Sequence, residues 1–130
     1  MASIFTKIIR GDIPCYKVAE TKDCIAFLDI LPIAKGHVLV IPKKEVDNYF
    51  DLDEELFQKV NSLAKKISHA IKKVVPCKRI GVSVIGLEVP HAHVHLVPIN
   101  SISDLDFTKD RVKFSSEEFK ELASDISANL

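Results

Sequence analysis

The chain carries no net charge, because 18 lysine and arginine side chains balance 18 aspartates and glutamates. That balance excludes a global basic field able to recruit nucleic acid, so any anionic ligand has to be small and locally held. Paired cysteines are missing too. Cys15, Cys24 and Cys77 are odd in number, widely spaced and form no C-x-x-C, which excludes a zinc knuckle or dithiol redox motif and leaves reduced structural thiols. No apolar run reaches the roughly 18 residues that span a bilayer. The opening MASIFTKIIRGDIP breaks its short apolar stretches with Lys7, Arg10 and Asp12, unlike a secretory signal. A soluble cytoplasmic protein with no membrane and no nucleic-acid partner is therefore expected. Repeats, low-complexity tracts and interdomain linkers are absent as well. With 130 residues and 47% hydrophobic content, the chain suits one domain over 1–130 that buries about two thirds of its unfolded surface.

What the chain does have is a row of histidines. Three of its five lie in His91-Ala92-His93-Val94-His95-Leu96-Val97-Pro98. At i, i+2 and i+4 of a strand they project from one face within about 7 Å, while Ala92, Val94 and Leu96 point the other way into a core. Two chemistries suit such a row, and a plainer reading stands beside them. A neutral imidazole can attack phosphorus while neighbouring rings donate hydrogen bonds to the phosphoryl oxygens. Three imidazoles can instead hold a catalytic zinc with water in the fourth position. Or the row is simply the solvent side of an amphipathic strand. Spacing alone leaves all three open.

Hydrophobic period places the row in a fold. Ile4, Phe5, Ile8 and Ile9 recur at helical spacing until Gly11-Asp12-Ile13-Pro14 ends the pattern. Tyr16 to Glu20 and Cys24 to Leu28 read as strands around Thr21-Lys22-Asp23, and after a loop from Leu31 to Gly36 a third strand runs from His37 to Ile41. Leu52 to Val75 reads as one long helix, with Phe57, Val60, Leu63, Ala64, Ile67, Ile71 and Val74 on its apolar stripe. Asp53, Glu54 and Glu55 at its start and Lys72 and Lys73 near its end match the helix dipole; Lys65, Lys66 and His69 fall on the exposed side. Pro76 stops it, Arg79 to Ile85 is a further strand, and Pro90 and Pro98 bracket the histidine strand. Ile99 to Lys113 is irregular. A capping box at Ser115-Ser116-Glu117-Glu118 then opens a last helix over about 116–128. The order predicts an α+β fold, an antiparallel meander of about five strands with the long helix on one face and the histidines on the other.

The motif, in that place, resembles the histidine triad superfamily. Ile4-Phe5 through Ile13-Pro14, Phe27-Leu28-Asp29-Ile30 and Gly36-His37-Val38-Leu39-Val40-Ile41-Pro42-Lys43 are similar to its nucleotide-binding, Hint-like branch. The likeness spans about 3–99; residues 100–130 lie outside it. The resemblance implies a purine nucleotide substrate and a covalent nucleotidyl intermediate on His93. His91 and His95 flank it, and His37 is a fourth active-site histidine. It places the ribose on Asp29 beside Ile30, the base in a slot of Ile4, Phe5 and Phe27, and the chain in a homodimer. By residue type alone Asp29 reads as a loop cap, Phe27 as core and His37 as a satisfied structural histidine. The implied activity is hydrolysis or transfer at the α-phosphate of a nucleoside 5′-phosphoramidate. Hydrolysis of dinucleoside polyphosphates and a nucleotide-binding or partner-binding module with weak catalysis are the alternatives. An activity limb near the ordinary histidine pKa of about 6.5 is expected.

Two departures stand out. Relatives of this branch carry an asparagine and a glycine-rich Gly-Gln-Ser-Val loop before the triad, whereas this chain reads Val84-Ile85-Gly86-Leu87-Glu88-Val89-Pro90, with Glu88 at the serine's place. A carboxylate beside a phosphate repels it unless protonated or paired, so Glu88 is expected either to select a cationic leaving group or to act as the acid. Ser3 and Thr6 stand where some relatives hold structural zinc through cysteines, so neither a metal nor a cofactor is expected.

Overall fold

The computed structural model describes residues 2–130, which leaves Met1 of the expected 1–130 domain outside the described residues. The first helix, α1 (Ile4–Ile9), has six residues and starts at Ser3, whose hydroxyl accepts from the Thr6 N–H. So short a helix is marginal by itself. Burial of Phe5 and the Ser3 cap hold it to the sheet.

Strands β1 (Lys17–Glu20) and β2 (Cys24–Leu28) form a hairpin, tied where Thr21 N–H donates to the Cys24 carbonyl and Cys24 N–H to the Thr21 hydroxyl. Next come β3 (Val38–Pro42), α2 (Glu54–Val74), β4 (Arg79–Ser83), β5 (Val94–Ile99) and α3 (Ser116–Ala128). Asp53 caps α2 by accepting from Leu56 N–H, with Glu54 and Glu55 in the first turn and Lys72 and Lys73 in the last. Ser115 and Glu118 form the capping box of α3 as expected. His69 is exposed.

The five strands are antiparallel in the order β1-β2-β3-β5-β4, so the sheet departs from a simple meander at one place. Because α2 packs across β2, β3, β5 and β4, its C-terminus emerges at the far edge. There the chain lays down β4 and then returns as β5 into the slot beside β3. The histidine strand is thus interior. Alternation sends Ala26, Leu28, Val38, Val40, Ala92, Val94 and Leu96 into the core beneath α2 and α3. Ile25, Phe27, Leu39 and Ile41 go to the opposite face, where Phe5 covers them.

β5 is shorter at its front than expected, beginning at Val94 and not at His91. Its pairing with β3 runs Val38 to Leu96, Leu39 to His95 and Val40 to Val94, and continuing the register would bring Ala92 opposite Pro42. Pro42 has no N–H to offer. The Ala92 N–H turns instead to the Val46 carbonyl, 2.7 Å away, and the His91 N–H to Val89 O at 2.8 Å. At the other end Pro98 lies inside β5, past the last β3 pair, where its missing donor is tolerated. No helix among the described residues is long and apolar enough to cross a membrane.

Gly36 delivers His37 to the head of β3 with φ +91°, and a Cβ there would lie 3.1 Å from both Pro98 Cγ and Val75 Cγ2. Left-handed backbone and overpacking both penalise any larger residue. Gly36→Ala is expected to lower unfolding free energy by about 2–3 kcal/mol in urea titration. A loss below about 0.5 kcal/mol would show that neither constraint holds.

Candidate active site

The four buried histidines differ in what their ring nitrogens are given. His91 is used up: its Nε2–H donates to the Pro42 carbonyl at 2.8 Å and its Nδ1 accepts from the Ser3 hydroxyl at 2.9 Å. This is the ring that fills the acceptor left over where the β3 ladder stops. Its relative exposure is 0%, against 7% for His93 and 8% for His95, so only the latter two of the row can reach a ligand.

His93 donates Nδ1–H to the His91 carbonyl, 2.7 Å away. A carbonyl only accepts, so the proton of the neutral ring is on Nδ1 and the Nε2 lone pair is free. Among the described residues Nε2 of His93 has no hydrogen-bond partner. The ring is held from one side by Phe5, edge-on with centroids 5.0 Å apart. On the other side His95 meets it at 4.9 Å.

His37 and His95 form a directed pair. The Ile33 N–H donates to His37 Nδ1 at 3.2 Å, which leaves the His37 proton on Nε2, and Nε2–H then donates to His95 Nδ1 at 2.9 Å. The remaining His95 proton is consequently on Nε2, away from the pair. A free lone pair on His93 and an available N–H on His95 lie side by side. Burial pushes both His37 and His95 down to about 3, reinforced by Arg111 and His93 beside His37 and by the neighbouring rings beside His95. His91 is lowered by burial as well, opposed by its bond to Pro42 O.

Asp29 closes this end of the row. Its Oδ1 accepts from Leu31 N–H at 2.9 Å, while Oδ2 lies 3.6 Å from His37 Nε2. The loop cap and the site carboxylate are one residue. Asp29, His37 and His95 together have the outline of a metal cradle, with candidate ligand atoms within 4.8 Å of one another. The Ile33 N–H opposes that use, because ligation through His37 Nε2 would move the proton to Nδ1 and set two donors face to face. The N-terminal cluster does not suit zinc either: Ser3, Thr6, Glu45 and His91 are already joined, with Thr6 Oγ1–H and Ser3 N–H each 2.6 Å from Glu45 Oε1. Ser3 and Thr6 offer it neutral hydroxyls in place of thiolates.

The other expected residues divide. Phe5 and Phe27 meet edge-on at 5.7 Å and are buried, forming an apolar floor and not an open slot. Ile4 and Ile30 are exposed and are not part of that cluster. Glu88 is exposed, has no hydrogen bond or ion pair among the described residues, and is not on the wall of the cavity of about 390 Å³ that reaches His93. The short loop points the carboxylate outward and turns Val89 inward, against the Phe5 cluster. That cavity is walled by Asp47, Asn48, Tyr49 and Phe50 together with Val84, Ile85 and Gly86, none of which the sequence singled out for the site. Phe107 and Arg111 were also missed; from a stretch with no hydrophobic period, Phe107 sets its ring against His95 and His37, and Arg111 lies over the Phe107 ring.

Keeping His37 and His95 neutral makes the fold acid-sensitive. Unfolded, both take up protons near 6.5; folded, only near 3, so between these values the unfolded chain binds more protons and stability falls as the pH drops. Each ring should remove on the order of 1.4 kcal/mol per pH unit below about 6. The urea midpoint at pH 5 is expected well below that at pH 7, and an unchanged midpoint would refute the neutral pair.

The family model of the HIT domain matches residues 10–102. Adenosine 5′-monophosphoramidase hnt1 of Schizosaccharomyces pombe is 38% identical over 133 residues, covering 100% of this chain and 99% of that protein. An uncharacterized HIT-like protein of Borreliella burgdorferi is 36% identical over 135 residues, covering 98% and 97%. Among solved structures, a HIT-like protein from Bartonella henselae has a TM-score of 0.86 at 36% identity, covering 98% of this chain and 96% of that one. A family model over most of the length, full-length relatives and a shared α+β architecture converge: the chain belongs to the HIT domain family.

Proposed function

We propose that this protein hydrolyses purine nucleoside 5′-phosphoramidates through a nucleotidyl intermediate on His93. The observation that carries the reading is the His93 tautomer: Nδ1–H is committed to the His91 carbonyl, so the nitrogen with the free electron pair is Nε2. In the proposed step Nε2 attacks the α-phosphorus, the bond from phosphorus to the leaving nitrogen breaks, and that nitrogen departs as an amine with a proton taken from solvent, which the attacking water of the second step gives back. Water then attacks the phosphorus, the Nε2–P bond breaks, and nucleoside monophosphate is released.

Charge that grows on the phosphoryl oxygens needs fixed donors. His95 Nε2–H is suited to this, since its other nitrogen is occupied by His37. A neutral donor also leaves the phosphate's charge to be met without protonating the adjacent nucleophile. For the ribose, Asp29 Oδ2 has capacity for a hydroxyl, Oδ1 being used by Leu31 N–H. The floor of Phe5 and Phe27, with Ile4 and Ile30 at the surface, supports an apolar seat for the base. The full-length relative from S. pombe supports adenosine and a P–N bond as the starting choice. Glu88 takes no step in this scheme.

A homodimer belongs to the same reading. β4 is an edge strand with Val82 exposed, followed by the exposed Val84 and Ile85, an arrangement suited to pairing with a second copy. Sedimentation should then give one species of twice the chain mass.

The enzymatic reading is tested with adenosine 5′-phosphoramidate. Rapid quenching followed by peptide mass spectrometry is expected to find an added adenylate on the peptide containing His93. His93→Ala should abolish the adduct and lower kcat by on the order of 10⁴ or more. Turnover by that variant within tenfold of the parent would overturn the mechanism.

A further inference from the structure

The segment between β5 and α3, residues 100–115, folds back over one end of the histidine row. Phe107 sets its ring 4.7 Å from that of His95 at an interplanar angle of 69°, and 5.8 Å from that of His37 at 80°. The Arg111 guanidinium lies over the Phe107 ring, 5.8 Å from its centroid. Arg111 is also a knot: Nη1 donates to the Leu31 carbonyl at 3.1 Å and Nη2 to the Phe107 carbonyl at 3.2 Å. The adjacent Val112 N–H reaches the Pro32 carbonyl at 2.9 Å. The loop it grips supplies Asp29, anchored through Leu31 N–H, and the Ile33 N–H that orients His37. Segment, loop and histidine pair are one unit.

We propose that Phe107 and Arg111 are positioning residues for the His37–His95 pair: together they keep it dry and locked, so that its one shared hydrogen bond directs the outer His95 N–H toward the substrate. The proposal rests on the reading of His95 as a phosphoryl-contact donor. Its physical basis is that the link from His37 Nε2–H exists only while His95 Nδ1 carries no proton, and the Ile33 N–H likewise needs His37 Nδ1 unprotonated. A proton added to His95 would set two N–H groups against each other and let both rings turn. Phe107 excludes water that would solvate the charged form, and Arg111 adds a nearby positive charge that opposes it. The charged or titratable groups facing the pair are Asp29, which favours protonation of His95, and His93 and Arg111, which oppose it. Phe107 and Arg111 therefore tip a balance that Asp29 pulls the other way.

The test uses the full chain carrying Phe107→Ala, Phe107→Leu or Arg111→Met. Nitrogen-15 spectra of the histidine side chains report tautomer and protonation against pH without substrate. In the parent, His37 and His95 should stay neutral to below pH 5. In Phe107→Ala, His95 is expected to titrate close to the ordinary value of about 6.5, and kcat for adenosine 5′-phosphoramidate to fall between pH 7.5 and pH 5.5 by about tenfold more than the parent's does, with KM within about twofold. Phe107→Leu should restore most of the parent profile, because it keeps water out. Arg111→Met should raise His37 more than His95, and it carries the test if Phe107→Ala does not fold. Folded Phe107→Ala and Arg111→Met proteins whose His37 and His95 titrate as in the parent would overturn the proposal. Failure of the functional reading is separate: the parent would then show the neutral pair and no turnover.

Discussion

The pairing of β3 with β5 is the constraint on which the site depends. By setting Val40 opposite Val94 it places His95 on the Phe27 and Leu39 face and brings Pro42 to the position where the ladder cannot go on. The break is productive. With no ladder bonds to make, the backbone of His91 is free to present its carbonyl to His93, and the His91 ring is free to take the Pro42 carbonyl. One proline thus converts the head of a strand into a scaffold that fixes the tautomer of the central histidine.

Every proton in the row then traces back to a backbone group, directly in His91 and His93 and through His37 in His95. Ile33 N–H at one end and the carbonyls of Pro42 and His91 at the other leave the side chains no choice of tautomer while neutral. Backbone groups do not titrate, so this arrangement is rigid in a way that a chain of carboxylates would not be. Burial reinforces it by making the charged imidazolium costly, and the same burial ties the protonation state of the site to the stability of the fold. The Ile33 N–H also explains why two histidines and a carboxylate in contact need not form a metal centre.

Much of this was legible in the chain. The strong signals were periodic: the stripe of α2, the alternation of β2, β3 and β5, the caps at Ser115 and the dipole-matched ends of α2 all reported local geometry that the structure shares. The three readings of the histidine row could not be separated by spacing, because a strand only says which side chains share a face. Choosing among them needs the partner of each ring nitrogen; for His93 that is the nearby His91 carbonyl, but the others are Ser3, Ile33, His37 and Pro42, up to 88 residues away in sequence. The direction of Glu88 was hidden for a similar reason. Its place before the triad suggested a role at the site, yet the turn of a short loop decides which side chain faces in, and here it is Val89.

The amino-acid sequence by itself determined the α+β class, the elements and the shared face of His91, His93 and His95, because period 2 and period 3.6 are properties of neighbouring residues. Only the tertiary structure decided that β5 is interior, that the ladder stops at Pro42, and that Phe107, backed by Arg111, comes to rest on the His37–His95 pair. Those outcomes depend on contacts between distant segments, which local pattern does not encode. A hydrogen bond that sets a tautomer becomes visible only when both of its ends are in place.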